Sequence, residues 1–402
     1  MTDDIYTLDA LVTGDSTVAV TDEGTGSDTI RVSGLYSEIV TFTLAHATHA
    51  GFPVSASASY YANGGITART LVINGVIENV TGSNGRDFIQ GNLLGNLLFG
   101  DKLASGAGLG DTLLGGSGND IIYGGDGDDE IQGDDDNDLI SGGAGVDTIS
   151  GGGGSDTIEG GAGADILSGG NSAGDTLSYA GSTAGVQIGL ILDGTAFGIG
   201  GDAEGDSITG FINLTGSAHD DRLEDTSKGL LASGRNDNRF SGGDGRDRLV
   251  LGGGNDTGLG GNGNDTLVGE VGDDALFGGN NNDLLRGSRG QDTITGGNGA
   301  DRFLFIGRDD STFDLAQRDT ITDFSTADGD RIDLGQIDAQ PGVAGNQDFV
   351  RVGRFSGSGG QLRVKQDGAD MLVLADLNGD RLADFAILVQ GVTNLTATDF
   401  VL

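Results

Sequence analysis

Between Gly115 and Ser168 the chain repeats itself every nine residues without a break: GGSGNDIIY, GGDGDDEIQ, GDDDNDLIS, GGAGVDTIS, GGGGSDTIE and GGAGADILS. A short, fixed period means that one structural unit is built many times and stacked, which excludes most folds at once. Position six is always aspartate: Asp120, Asp129, Asp138, Asp147, Asp156 and Asp165, with Asp111 joining nine residues upstream. Position eight is aliphatic: Ile122, Ile131, Ile140, Ile149, Ile158 and Leu167. A second array runs from Gly242 to Leu304 with Asp247, Asp256, Asp265, Asp274, Asp283, Asp292 and Asp301 in register. Its position eight holds Leu, Ile or Phe except at Gly258. Weaker units precede the arrays, GSNGRDFIQ around Asp87 and SGRNDNRFS around Asn238.

Each unit reads as a six-residue glycine-rich turn followed by a three-residue strand. Glycine supplies the positive φ values and close backbone approach that such a turn needs. In the strand, position eight points inward and positions seven and nine point outward. Two units then make one coil of a parallel β-helix, with strands stacked about 4.8 Å apart. The 79 glycines follow no Gly-X-Y period, which excludes collagen.

The stack brings aspartates of neighbouring coils together, Asp129 with Asp111 and Asp147, and Asp120 with Asp138. At about 5 Å and an effective dielectric near 20, each pair repels by roughly 3 kcal/mol. The whole chain carries 61 acids against 21 bases, a formal charge of −40. That excess disfavours nucleic acid and anionic membranes and favours cations. Carboxylates and turn carbonyls offer the flexible all-oxygen shell that calcium prefers. Zinc would want His or Cys, which the arrays lack, and magnesium tolerates an irregular oxygen cage poorly.

The pattern GGxGxDxUx resembles the calcium-binding nonapeptide of the RTX (repeats-in-toxin, hemolysin-type) family. The resemblance implies an all-β fold, a right-handed parallel β-roll holding Ca2+ through position-six carboxylates and turn carbonyls, on the order of ten ions in all. The turn glycines it places at these sites are Gly116, Gly118, Gly125, Gly127, Gly143, Gly145, Gly152, Gly154, Gly161 and Gly163 in the first array. In the second they are Gly243, Gly245, Gly252, Gly254, Gly261, Gly263, Gly272, Gly279, Gly290, Gly297 and Gly299. Asp134, Asp136, Glu270, Asn281 and Ser288 depart from the pattern within the turns. Asp87 extends the candidate ligands upstream.

Residues 305–402 are expected to be a β-rich cap, since ADRFLFIGRDDSTFDLAQRDTITDFSTADGDRIDLGQIDA and ADLNGDRLADFAILVQGVTNLTATDFVL resemble the serralysin C-terminal domain. The ending Asp399, Phe400, Val401, Leu402 resembles the uncleaved signal of type I secretion substrates, and the first residues show no signal-peptide pattern. The resemblance thus implies export by type I secretion machinery from a Gram-negative cell. Asp376, Asn378, Asp380 and Asp384 have the spacing of an EF-hand-like loop, although Arg381 and Ile387 replace its glycine and glutamate. A calcium site and a polar β-turn are both open there. The remaining expected segments are an N-terminal β region at 1–80, the arrays at 81–178 and 233–304, and a β-solenoid spacer at 179–232 of wider coils.

Serralysins carry a zinc-binding HExxH ahead of the roll, whereas this chain has three histidines, His46, His49 and His219, and no such motif. Without cysteine there are no disulfides and few nucleophile candidates. No apolar run approaches the roughly 20 residues of a membrane span. The expectation is a non-catalytic, secreted protein that folds on binding calcium and serves in a surface layer, matrix or adhesion, or else as an accessory or carrier module for a secreted hydrolase. Arg235, Arg239, Arg246, Arg248, Arg286, Arg289, Arg302 and Arg308 read as charge balance, or as a strip for acidic polysaccharide.

Overall fold

The computed structural model describes residues 79–402 apart from 83–85, 92, 102–107, 171, 173, 192–194 and 227–236, together with the backbone of six strands between residues 5 and 74. His46, His49 and Arg235 lie outside the described residues. The chain forms two compact units, one of residues 1–182 with 194–211 and the other of 183–193 with 212–402. The division falls inside the expected spacer.

In the first unit the strands stack in parallel with a shift of 18 residues. Ile121–Asp126 pairs with Leu139–Ala144, and that with Thr157–Ala162. On the other side Thr112–Ser117, Glu130–Asp135, Thr148–Gly153 and Ile166–Gly170 pair in the same way. Position eight forms the core, since of the two buried positions on each strand, eight and the next unit's position one, the second is nearly always glycine. Leu113, Ile122, Ile131, Ile140, Ile149, Ile158 and Leu167 are at most 1% exposed. Leu139 and Ile166, at position seven, are exposed.

The strands are longer than the expected three residues. Most run six residues, through positions one to three of the following unit. Glycine at position one lets neighbouring coils approach closely enough for pairing to continue into the turn. Positions two and four hold the positive φ values, as at Gly143 (115°) and Gly145 (146°). Asp134, Asp136, Glu270, Asn281 and Ser288 take the same left-handed conformation, with φ between 75° and 83°. The coil geometry therefore overrides residue preference at the departing turns.

The second unit repeats the arrangement. Arg239–Asp244, Thr257–Asn262, Ala275–Asn280 and Thr293–Asn298 form one ladder. Arg248–Gly253, Thr266–Val271, Leu284–Arg289 and Arg302–Leu304 form the other. The gap at Gly258 is filled from its own unit. A Cβ on Gly258 would lie 3.1 Å from Leu251 Cδ1, and Leu251 is fully buried at position one, where other units place glycine.

Beyond the second array, Thr320–Ile321 pairs with Leu388–Val389, and Arg331–Asp333 with Phe400–Val401. An antiparallel trio, Gln361–Asp367, Asp370–Asp376 and Phe385–Val389, carries Phe385, whose ring meets Phe305 edge-on at 5.6 Å. These strands continue the pairing of both ladders beyond the array. Spacer residues continue the parallel pairing at wider offsets within each unit, Ile166 with Ser207 and Gln187 with Arg222. The antiparallel pairing of Thr195–Ile199 with Ser207–Thr209 had no signal in the sequence.

Candidate metal centres

The position-six aspartates form a continuous hydrogen-bonded series. The backbone N–H of each donates to Oδ1 of the aspartate one coil on: Asp111 to Asp129 (2.7 Å), Asp129 to Asp147 (2.9 Å) and Asp147 to Asp165 (2.9 Å). On the opposite side Asp120 donates to Asp138 and Asp138 to Asp156. The second unit repeats the relationship, Asp247 to Asp265 to Asp283 to Asp301 and Asp256 to Asp274 to Asp292. Alternation of sides follows from the two units per coil, so the pairings expected between Asp129 and its neighbours at Asp111 and Asp147 are present.

The second oxygen of each carboxyl is the informative one. Oδ2 of Asp111, Asp120, Asp129, Asp138, Asp147, Asp156, Asp165, Asp247, Asp256, Asp265, Asp274, Asp283, Asp292 and Asp301 is buried with no hydrogen-bond partner. Except at Asp256, whose unit begins with Leu251, it lies over a glycine, in most units the one at position one. A Cβ built on Gly142 would stand 2.3 Å from Asp147 Oδ2 and 2.5 Å from the carbonyl oxygen of Gly160. The same pair of atoms crowds Gly115, Gly124, Gly133, Gly260 and Gly278. Position one is thus a cradle of unpartnered carboxylate oxygen and carbonyl oxygen, left open by the missing side chain. The sequence reading assigned the glycines at positions two and four and missed those at position one.

Burial drives these carboxyls well above the ordinary range. Asp111 is raised to about 9, by burial first and the Asp87 carboxylate next. Asp247 and Asp274 reach about 8, and Asp120, Asp129 and Asp138 about 7, where backbone N–H groups offset part of the burial. Asp147 and Asp301 reach about 6. A hard cation would remove this penalty, and oxygen-only donors fit calcium. Among the described residues no three acidic, histidine or cysteine side chains converge on one point. The donor set is therefore carboxylate plus carbonyl, coil by coil, and not a cluster of acids.

The series extends past the nonapeptides. Asp87 donates to Asp111 Oδ1 and Asn96 to Asp120 Oδ1. Asp175 accepts from Asp156, Asp206 from Asp165, Asp319 from Asp292 and Asp330 from Asp301. At the start of the second array Asp221 and Asn238 donate to Asp247 and Asp256. The sequence reading passed over Asn96, Asp175, Asp206, Asp221, Asp319 and Asp330. A signal existed, since each aspartate opens a D-x-U tripeptide: DTL, DSI, DRL, DTI and DRI.

At the EF-hand-like loop the residues form a hydrogen-bonded turn. Asp376 accepts from the backbone N–H of Gly379 and Arg381, Asp380 from that of Leu382, and Asp384 from those of Leu377 and Asn378. Asn378 accepts from Asp380 in turn. His219 is an exposed turn residue whose backbone N–H donates to Ser217 Oγ. Several arginines of the strip sit beside acids: Arg248 with Glu224 (3.3 Å), Arg286 with Asp310 (3.4 Å), Arg308 with Asp309 (3.5 Å), and Arg302 with Asp333.

A family model described as the RTX calcium-binding nonapeptide repeat (4 copies) matches residues 105–140, 141–174, 230–258, 252–285 and 277–304. No curated protein matches the chain. Among solved structures, the chain is similar to the AlgE6R2 subunit of the mannuronan C5-epimerase of Azotobacter vinelandii, at 24% identity and a TM-score of 0.24 over 47% of this chain and 91% of that one. The AlgE6R3 subunit of the same epimerase matches at 25% identity and a TM-score of 0.20, covering 46% and 78%. The extracellular lipase LipA of Serratia marcescens matches at 17% identity and a TM-score of 0.18, covering 75% of this chain and 41% of that one. No functional conclusion follows from these structural likenesses.

Proposed function

Because the chain carries arrays of the RTX calcium-binding nonapeptide repeat, we propose that it is a secreted, non-catalytic β-roll protein whose folding is coupled to calcium. The observation that carries this reading is the run of buried Oδ2 atoms without partners along both arrays. The residues that would hold the ions are the position-six aspartates, Asp111 to Asp165 and Asp247 to Asp301, with carbonyls of the glycine turns. Calcium supplies the positive charge that these buried carboxylates otherwise lack. On the order of ten ions follows if one lies between same-side neighbours.

The chain's own residues set the rest. Each aspartate holds the preceding coil through Oδ1, position eight fills the core, and glycine keeps the cradle open. The unfolded chain has no such preformed site, so binding free energy becomes folding free energy. At low cytosolic free calcium the chain stays extended and fit for export by type I machinery. At the millimolar calcium outside the cell the weak extracellular class of site fills and the roll closes.

For the role of the folded roll we favour structure: a surface layer, matrix or adhesion, with service as a carrier for a separate hydrolase as the alternative. Acids beside Arg248, Arg286, Arg302 and Arg308 support charge balance over an acidic-polysaccharide strip. Circular dichroism with and without chelator tests the calcium coupling. A β spectrum that persists unchanged in chelator at neutral pH would sink it. Electron microscopy after calcium addition tests the structural role, for which ordered sheets or fibres are expected and dispersed particles count against it.

A further inference from the structure

Two aspartates beyond the regular nonapeptides share the acceptor bond and the unpartnered oxygen of the array aspartates. Asp175 accepts the N–H of Asp156 on Oδ1 at 3.0 Å, and Asp319 accepts that of Asp292 at 3.0 Å. Both are completely buried, and Oδ2 of each has no partner. Asp175 also has its cradle. A Cβ on Gly169 would stand 2.9 Å from Asp175 Oδ2 and 2.6 Å from the carbonyl oxygen of Gly210. Gly210 comes from a segment with no nonapeptide, so the wider coil delivers the carbonyl that a repeat would otherwise supply.

The other extensions of the series differ in one respect. Asp206 Oδ2 accepts the Tyr179 hydroxyl at 2.7 Å, Asp330 Oδ2 accepts the N–H of Ser325 at 2.7 Å, and Asp221 Oδ2 accepts the N–H of Ser217 at 2.5 Å. There a protein donor occupies the atom that stays open at Asp175 and Asp319. Asp319 has in addition lost the next carboxylate of the series. Its own N–H donates to Ser311 Oγ at 2.9 Å, so the hydroxyl closes the backbone series while Oδ2 stays unmet.

We infer that Asp175 and Asp319 each ligate a further calcium ion, so that on one side of each unit the metal series runs a step past the nonapeptides, whereas Asp206, Asp221 and Asp330 end it with hydrogen bonds. This rests on the reading of the arrays as calcium sites. The chemistry is the same: a buried carboxylate oxygen without a donor, in an environment where an unpaired charge is costly and a hard cation offsets it.

The test is crystallographic and needs no variant. Crystals of the full chain soaked in terbium should show anomalous peaks at Oδ2 of Asp175 and Asp319, as at the array aspartates, and none at Asp206 or Asp330. Peaks along the arrays but not at Asp175 and Asp319 overturn the inference and leave the array reading intact. No peak at any aspartate overturns both. In solution, Asp175→Asn and Asp319→Asn, which keep the Oδ1 acceptor, should each lower the calcium bound per folded chain by about one ion, and Asp206→Asn should leave it unchanged. An unchanged count in the first two also refutes the assignment.

Discussion

The backbone N–H of Asp129 donates to Oδ1 of Asp147 at 2.9 Å, while Oδ2 of that same carboxyl is buried beside Gly142 with no partner. One oxygen holds the coils together, and the other is available to a cation. The two functions are separable by mutation.

Asp147→Asn keeps the acceptor and removes the charge. Calcium affinity should fall about tenfold or more, about 1.4 kcal/mol, and melting in saturating calcium should drop accordingly. In chelator the sign reverses, because the variant buries one charge fewer. Melts in calcium measure the first, and the pH at which β signal appears on acidification in chelator measures the second.

Gly142→Ala should damage the roll more than its size suggests. The new methyl would stand 2.3 Å from Asp147 Oδ2 and 2.5 Å from the Gly160 carbonyl, neither of which can retreat freely. A loss of roughly 3 kcal/mol is expected, at the upper end for overpacking. Gly153→Ala is the control, since its Cβ would meet nothing nearer than 3.9 Å. That change should stay within about 0.5 kcal/mol in denaturant unfolding.

Without calcium, stability should rise on acidification. The position-six carboxyls are raised in the folded state, to about 7 at Asp129 and about 9 at Asp111, against roughly 3.9 unfolded. A group raised in this way favours the fold fully below its unfolded pKa, and that advantage is lost as pH rises through the folded pKa. Calcium-free protein should therefore gain β signal between about pH 8 and pH 4. Saturating calcium inverts the trend, because protons then compete for the ligands. Circular dichroism against pH under the two conditions reads the difference.

Ile140→Ala should cost about 2–5 kcal/mol, since the side chain is fully buried between Ile122 and Ile158. Leu139→Ala, one residue away and 46% exposed, should change stability by about 0.5 kcal/mol or less. Equal effects in thermal or denaturant unfolding would show that position eight is not the core.

Much of this was legible because one unit is written many times. The inward set at Ile122 and Ile140, the two-unit coil and the partners of Asp129 all follow from the period. Legibility ended where geometry, not residue type, carries the repeat. Asp319 has no glycine turn before it, and one extra residue in GGNSAG sets Asp175 nineteen residues from Asp156, so a pattern with a strict nine-residue period skips both. Gly142 resembles every other glycine until its own turn folds Asp147 Oδ2, and the next coil brings the Gly160 carbonyl, over the place of its missing Cβ. Leu251 looked like an intrusion until the gap at Gly258 gave it a place. The loop at Asp376 had the right spacing for a cation, but which oxygens its own N–H groups would occupy depends on the turn conformation.

The N–H to Oδ1 series also gives each roll a direction. Every aspartate reaches back to the coil before it, so each coil is completed by the one that follows. Removing coils from the N-terminal end leaves behind carboxyl lone pairs, which water can meet. Removing them from the C-terminal end leaves an aspartate N–H facing nothing, as Asp292 would be without Asp319 or Asp319 without Ser311. The two ends are unequal in what they need: the chain can begin a roll with almost any coil, but only a segment that brings its own acceptor can finish one.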